Sequence, residues 1–180
     1  MIKLVNIQDN KNCVKNIRRL YNDAFPKNER VPFFLLKYMA TKEKADLYGI
    51  YDNTEFIGLL YNVYYKDTVF VFYLAIDSKI RSKGYGSAII DEIKLRSKNR
   101  RIILNIEEVD ENSNDFEQQM RRKSFYIKNG FKESSIKTRE KNVVYEMLYY
   151  GENVTYEEYS KLMQNYLGKF LFNLYYERVN

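Results

Sequence analysis

The stretch LAIDSKIRSKGYGSAIIDEIK, residues 74–94, decides how the chain is read. It begins inside an apolar run, TVFVFYLAID at 68–77, whose near-continuous hydrophobicity predicts a central strand buried on both faces. A short polar loop leads into Arg81-Ser82-Lys83-Gly84-Tyr85-Gly86, and from there Tyr85, Ile89, Ile90 and Ile93 recur at helical spacing, predicting a helix from about 84 to 97. A strand that turns through glycines and basic residues into a helix start has the makings of an anion site. The first helical turn leaves backbone N–H groups unpaired and carries partial positive charge. Gly84 and Gly86 let an anion come close to the backbone, and Arg81 and Lys83 add charge. A pyrophosphate is a natural guest. The alternative is a tight strand–helix turn that holds nothing. The loop lacks the Lys-Ser/Thr of a Walker A motif and is not G-x-G-x-x-G.

Working outward, the chain alternates strands and helices without repeats, low-complexity tracts or linkers. A strand is expected over 2–7, then a helix carrying Val14, Ile17, Leu20, Tyr21 and Ala24 that Pro26 ends. A short helix follows near 31–40, with Pro32 in its first turn. Strands at 46–51 and 55–65 flank a turn at Asp52-Asn53. Beyond the deciding stretch come a buried strand at 101–107, a helix over 114–129 closed by Asn129-Gly130, and strands near 131–139 and 142–150 joined across Arg139-Glu140-Lys141. Residues 1–150 read as one α/β domain. Residues 151–180 form a helical extension that opens on the capping-box pair Thr155 and Glu158. Its stripe of Tyr159, Leu162, Tyr166, Phe170 and Leu174, with Gly168 as a break, packs on the same domain or forms a homodimer contact.

Composition narrows the chemistry. The 180 residues include 18 Tyr and 11 Phe but no His, which removes Ser–His and Cys–His catalysis and every histidine metal site. No metal is expected. Acid–base work falls to Glu, Asp, Tyr, Lys or water. The single cysteine, Cys13, excludes a disulfide framework and points to a cytoplasmic setting. The opening MIKLVNIQDN lacks the pattern of a signal peptide, and no apolar run of about 18 residues occurs, so no membrane partner is expected. The net charge of +6 is spread as basic residues among acids, and no recognised nucleic-acid-binding pattern accompanies it, so no nucleic-acid partner is expected.

Arg-x-x-Gly-x-Gly after a strand, at Arg81–Gly86, resembles the acetyl-CoA signature of the GNAT superfamily of N-acetyltransferases. Arg121-Arg122-Lys123-Ser124-Phe125-Tyr126-Ile127-Lys128-Asn129-Gly130-Phe131 is similar to the superfamily's second signature, in which a Phe-Tyr pair near a helix end precedes Gly-Phe. The order of elements over 1–150 also matches, and 151–180 lies outside the match. The resemblance implies a twisted, mostly antiparallel mixed sheet flanked by helices. In it the strand at 68–77 and a parallel neighbour at 101–107 splay apart to admit the cofactor. It further implies that the backbone of Leu74, Ala75 and Ile76 bonds the pantetheine arm of acetyl-CoA. The amides from Arg81 through Ser82, Lys83, Gly84, Tyr85 and Gly86, together with Ser87, would hold the pyrophosphate.

Acetyl transfer to a primary amine needs a base, because such an amine is protonated near neutral pH, with a pKa of ~10.4 for lysine. It also needs a donor to the developing oxyanion, for which the Ile76 N–H is the candidate, and a proton for the leaving thiolate. On the family pattern Tyr126 is the acid beside the sulfur; its alternative role is a packed core aromatic. Glu107, which ends the strand Leu104-Asn105-Ile106-Glu107, is the candidate base, although Gln119 stands where the family often has an Asn. Glu29, in Phe25–Phe33, walls the acceptor pocket on the family pattern, as a binder of a cationic amine or a second base. Its alternative role is a helix-start carboxylate. Arg121 and Arg122 reach a 3′-phosphate or face solvent. The function expected is an acetyl-CoA-dependent N-acetyltransferase acting on a small-molecule or peptide amine by direct base-assisted attack. The competing expectation is a domain that binds acyl-CoA without catalysis.

Overall fold

Strands β1 (Ile2–Asn6), β2 (Ala45–Asp52), β3 (Glu55–Tyr65), β4 (Thr68–Ile76), β5 (Arg101–Glu107), β6 (Lys132–Glu140), β7 (Val143–Tyr150) and β8 (Tyr176–Val179) build a mixed, mostly antiparallel eight-stranded sheet in this computed structural model. Its helices are α1 (Val14–Ala24), α2 (Phe33–Met39), α3 (Tyr85–Ser97), α4 (Phe116–Lys128), α5 (Tyr156–Leu167) and α6 (Lys169–Tyr175). The structure describes residues 2–27, 29–80, 84–140 and 142–179, without the side chains of Leu174 and Tyr175. The expectations placed on Arg81, Ser82, Lys83, Asn28 and Lys141 therefore lie outside the described residues. No described helix is long and apolar enough to cross a membrane. The residues gather into two units, Met1–Tyr64 with Val71–Lys98, and Tyr65–Phe70 with Asn99–Asn180.

The first unit holds the order β1-β2-β3-β4. β1 and β2 run antiparallel with Leu4 opposite Ile50, and β2 meets β3 antiparallel with a bulge between Ile50 and Tyr51. α1 turns Ile17, Leu20 and Tyr21 into the core. α3 buries Ile89, Ile90 and Ile93, the positions its period marks. A Cβ placed on Gly58 of β3 would lie 2.5 Å from the carbonyl oxygen of Ala75, so β4 approaches a backbone there that only glycine fits. The Asp77 N–H donates to the Ile57 carbonyl at 2.9 Å and keeps the end of β4 on β3. Two local details differ from the sequence reading. The β2–β3 turn is made by Asn53 and Thr54, with Asn53 at φ 53°, a conformation Asn tolerates. Pro32 caps α2 from outside rather than sitting in its first turn, which suits its ψ of 126°.

The second unit holds the order β4-β5-β7-β6-β8, entered through the opening residues of β4. β5 and β7 pair antiparallel with Leu104 opposite Leu148, and β6 pairs with both β7 and β8. In the last thirty residues, α5 buries Tyr159, Leu162, Met163 and Tyr166. The Tyr159 ring stands edge-on to Phe70 at 5.8 Å, and its hydroxyl accepts from Asn105 Nδ2 at 3.1 Å. The Thr155–Glu158 capping box forms as its pattern predicts. Arg101 ties this cap to the start of the strand layer, reaching Glu158 at 2.9 Å and Asp67 at 2.8 Å. Gly168 separates α5 from α6. The edge strand β8 is an addition to the sequence reading, which left 176–179 without an element of its own; its four residues are too few to show a period.

Candidate active site

In the first unit, Leu74, Ala75 and Ile76 close β4, and Gly84 directly precedes α3. Gly84 adopts φ 76° and ψ 1°, the left-handed region that an L side chain enters only at a cost, and it caps α3. Among the described residues, apart from its chain neighbours, a Cβ built there meets no atom within 4 Å. Tyr85, Gly86 and Ser87 are the first three residues of α3, whose amides have no partners within the helix. Ser87 is exposed and Gly86 half-buried, and α3 has no acidic residue in its first turn. The turn is braced from the side: the Tyr85 hydroxyl donates to Asp52 Oδ2 at 3.0 Å, which raises the Tyr85 pKa, and Arg19 pairs with Asp77 at 3.3 Å. The Tyr85–Asp52 bond, between a helix start and a hairpin 33 residues away, had no sequence signal.

Glu29 belongs to the same unit and is half-buried. Its N–H donates to the Pro26 carbonyl at 3.1 Å, and its carbonyl accepts from the Tyr73 hydroxyl at 2.9 Å. Tyr73 lies in β4 immediately before Leu74 and was not among the residues singled out by the sequence.

Glu107 and Tyr126 belong to the second unit. Glu107 ends β5 opposite Tyr145 of β7. Both its carboxylate oxygens are engaged: Oε2 accepts from Gln119 Nε2 at 3.4 Å, and Oε1 faces Arg122 at 3.7 Å. Gln119 is buried, and its own oxygen accepts from the Asp110 N–H at 3.0 Å. The residue that departs from the family's Asn thus fastens the β5–α4 loop to the end of β5. Neighbouring Glu108 pairs instead with Lys137 of β6.

Tyr126 lies near the end of α4, half-buried between Phe125 and Phe131, whose ring centres are 5.1 and 5.6 Å away. Among the described residues its hydroxyl makes no hydrogen bond. Burial pushes its pKa up to about 12, with the charge of Arg122 drawing it down, so the phenol keeps its proton across the physiological range. Arg122 therefore acts on both candidate residues. Arg121 pairs with Glu117 on the exposed face of α4. That division between the two arginines follows from which face of α4 each occupies, and their adjacency in sequence concealed it. Among the described residues no three acids or cysteines gather as a metal ion would need.

The family model described as "Acetyltransferase (GNAT) domain" matches residues 43–133. YjbC of Bacillus subtilis (strain 168), assigned to the acetyltransferases by name only, is 32% identical over 125 residues; the match takes in 65% of this chain and 61% of that protein's length. A GNAT-family structure from Bacteroides thetaiotaomicron is similar with a TM-score of 0.74 at 19% identity, over 96% of this chain and 98% of that one. The structure of an aminoglycoside 6'-N-acetyltransferase complexed with coenzyme A is similar with a TM-score of 0.65 at 13% identity, over 83% of this chain and 96% of the other. At those identities the two structures speak for the fold alone.

Proposed function

Because the chain belongs to the GNAT acetyltransferase family, we propose that it moves an acetyl group from acetyl-CoA to a primary amine of a small molecule or peptide. The observation that carries the reading is the turn at Gly84. A left-handed glycine, at which a Cβ would meet no described atom beyond its chain neighbours, opens a thirteen-residue helix with no acid in the first turn. That is what an anionic pyrophosphate requires of a protein: free amides, no side chain in the way, and the positive end of a helix. Acetyl-CoA supplies the thioester carbonyl. The chain supplies a strand backbone at Leu74–Ile76 for the pantetheine and the amides of Gly84–Ser87, with Arg81–Lys83, for the pyrophosphate.

On this reading Tyr126 donates its phenolic proton toward the sulfur as negative charge develops there. A hydroxyl without a hydrogen bond among the described residues, and its retained proton, suit that task. Glu107 takes the proton of the incoming amine directly or through a water, after giving up one of its two partners. Glu29 draws the cationic amine in and is the second candidate for the base. On this reading the amine attacks the thioester directly, and the one cysteine, Cys13, is buried and takes no part.

The test is a screen of polyamines, aminoglycosides, amino acids and peptides with acetyl-CoA, following release of free thiol. Transfer to an amine that falls sharply in Glu107→Gln and Tyr126→Phe, with acetyl-CoA binding retained, is the expected result. Acetyl-CoA binding with no transfer to any acceptor would leave a non-catalytic acyl-CoA-binding domain instead. Absence of binding at millimolar acetyl-CoA would end the proposal.

A further inference from the structure

Among its described residues the segment between α1 and α2 has no regular secondary structure, yet the backbone around Glu29 is held at successive points by side chains from other elements. The Tyr73 hydroxyl donates to the Glu29 carbonyl at 2.9 Å and accepts from the Val31 N–H at 3.2 Å. The Tyr21 hydroxyl donates to the Val31 carbonyl at 2.9 Å. Both polar backbone groups of Val31 thus end on phenols, one from β4 and one from α1. Between them, Arg30 reaches Asn22 Oδ1 at 2.6 Å. The two rings are themselves fixed. Tyr73 stands edge-on to Tyr21 at 5.0 Å and to Phe25 at 4.8 Å, and Tyr21 also touches Phe25 and Phe33. Tyr21 is 2% and Tyr73 6% exposed. Burial, with Tyr73 alongside, drives the Tyr21 pKa upward, so its hydroxyl remains a donor.

A core can be packed with phenylalanine at such positions at less risk, since a buried hydroxyl must find partners or cost stability. Here the hydroxyls spend their bonds on a loop backbone. We propose that Tyr73, assisted by Tyr21, is a positioning residue for Glu29. Its ring is part of the core, and its hydroxyl sets where the Glu29 carboxylate starts from. Because Tyr73 directly precedes Leu74, one strand would then hold the donor by its backbone and the acceptor-side loop by a side chain. This rests on the assignment of Glu29 to the amine acceptor made above, and it adds the element that fixes that residue in place.

The experiment uses the full chain, with spermidine as the probe amine at saturating acetyl-CoA and thiol release as the readout. Tyr73→Phe keeps the ring and removes the hydroxyl's bonds to the Glu29 carbonyl and the Val31 N–H. The expected result is a rise of about tenfold in the KM for spermidine, with kcat within about threefold and the KM for acetyl-CoA within about twofold. Tyr21→Phe shifts the same constant in the same direction by less. Glu29→Gln raises it too, and Glu29→Gln combined with Tyr73→Phe is no worse than the more severe single variant, because one acts through the other. Multiplying effects, equal shifts in both KM values, or a change in melting temperature with unaltered kinetics would overturn the proposal. Hydrogen exchange at the Val31 amide separates this idea from the function it rests on. The amide exchanges at least about tenfold faster in Tyr73→Phe, and an unchanged rate overturns the clamp whatever the substrate. A wild-type chain that binds acetyl-CoA but acetylates no amine overturns the acceptor role of Glu29, and with it the kinetic half of the proposal.

Discussion

Gly84 allows the cost of a conformation to be separated from the cost of a blocked ligand. The residue sits at φ 76°, where an L-amino acid loses about 1–2 kcal/mol relative to glycine. In a chain of this size about 1 kcal/mol corresponds to roughly 2–4 °C in melting temperature. Gly84→Ala is therefore expected to lower the melting temperature by about 2–8 °C, all of it from strain, because an added Cβ meets no described atom within 4 Å beyond its chain neighbours. Asn tolerates the left-handed region better than Ala, so Gly84→Asn should cost only the lower part of that range. Its side chain nonetheless fills the space before the first-turn amides. In the wild type, acetyl-CoA at a hundredfold excess over its dissociation constant adds about 2.7 kcal/mol of stability, or roughly 5–11 °C. The assay is thermal unfolding with and without acetyl-CoA. Gly84→Asn should lose most of the ligand-induced rise while remaining nearly as stable as the wild type without ligand. Gly130→Asn is the control, since Gly130 is also left-handed at φ 82° and follows the end of α4 rather than opening a helix. It should lose a little stability and keep the full rise. A Gly84→Asn chain that retains the wild-type rise would refute the reasoning, because the start of α3 would not be where the anion sits.

Tyr126→Phe should lower kcat on the order of a hundredfold while changing acetyl-CoA affinity only a few-fold, since a donor acting as the thiolate forms matters little in the ground state; steady-state kinetics with equilibrium binding checks it. Glu107→Gln should depress turnover most at low pH, where free amine is scarce, and a pH–rate profile that overlays the wild type would pass the role of base to Glu29 or a water. The Glu158 carboxyl is pulled down to about 2, first by the Arg101 guanidinium and then by the Thr155 N–H. A carboxyl depressed on folding contributes stability above its unfolded value, near ~4.3, and loses it as pH falls toward about 2. With the side chain 43% exposed, screening holds the contribution to about 1 kcal/mol. Acid unfolding followed by circular dichroism should show Glu158→Gln less stable than wild type above pH ~5 and converging with it near pH ~2.

Much of the sheet and the Thr155–Glu158 cap were legible because they are written in short-range patterns. The apolar run at 68–77, the helical period after Tyr85 and the Thr155–Glu158 box each act within a few residues, and each appears within a residue or two of its expected bounds. The left-handed Gly84 before α3 was legible for the same reason: glycine at a helix start states its conformation locally. The electrostatic setting of the candidate chemistry was not legible. Glu107 and Arg122 are fifteen positions apart, and only the packing of α4 against β5 makes one the partner of the other. Gln119 reads as a departure from a motif until its amide is seen joining Asp110 to Glu107. Tyr73 was one of eighteen tyrosines. Its sequence neighbourhood marks it as a residue of a buried strand, and nothing local distinguishes a hydroxyl that ends in the core from one that holds a loop forty-four residues earlier. Sequence by itself determined the elements other than β8, their order and the glycine helix start at Gly84, because backbone preference and hydrophobic period are local properties. Tertiary structure decided which polar side chains meet, because hydrogen bonds and ion pairs depend on distances in space that span many positions along the chain.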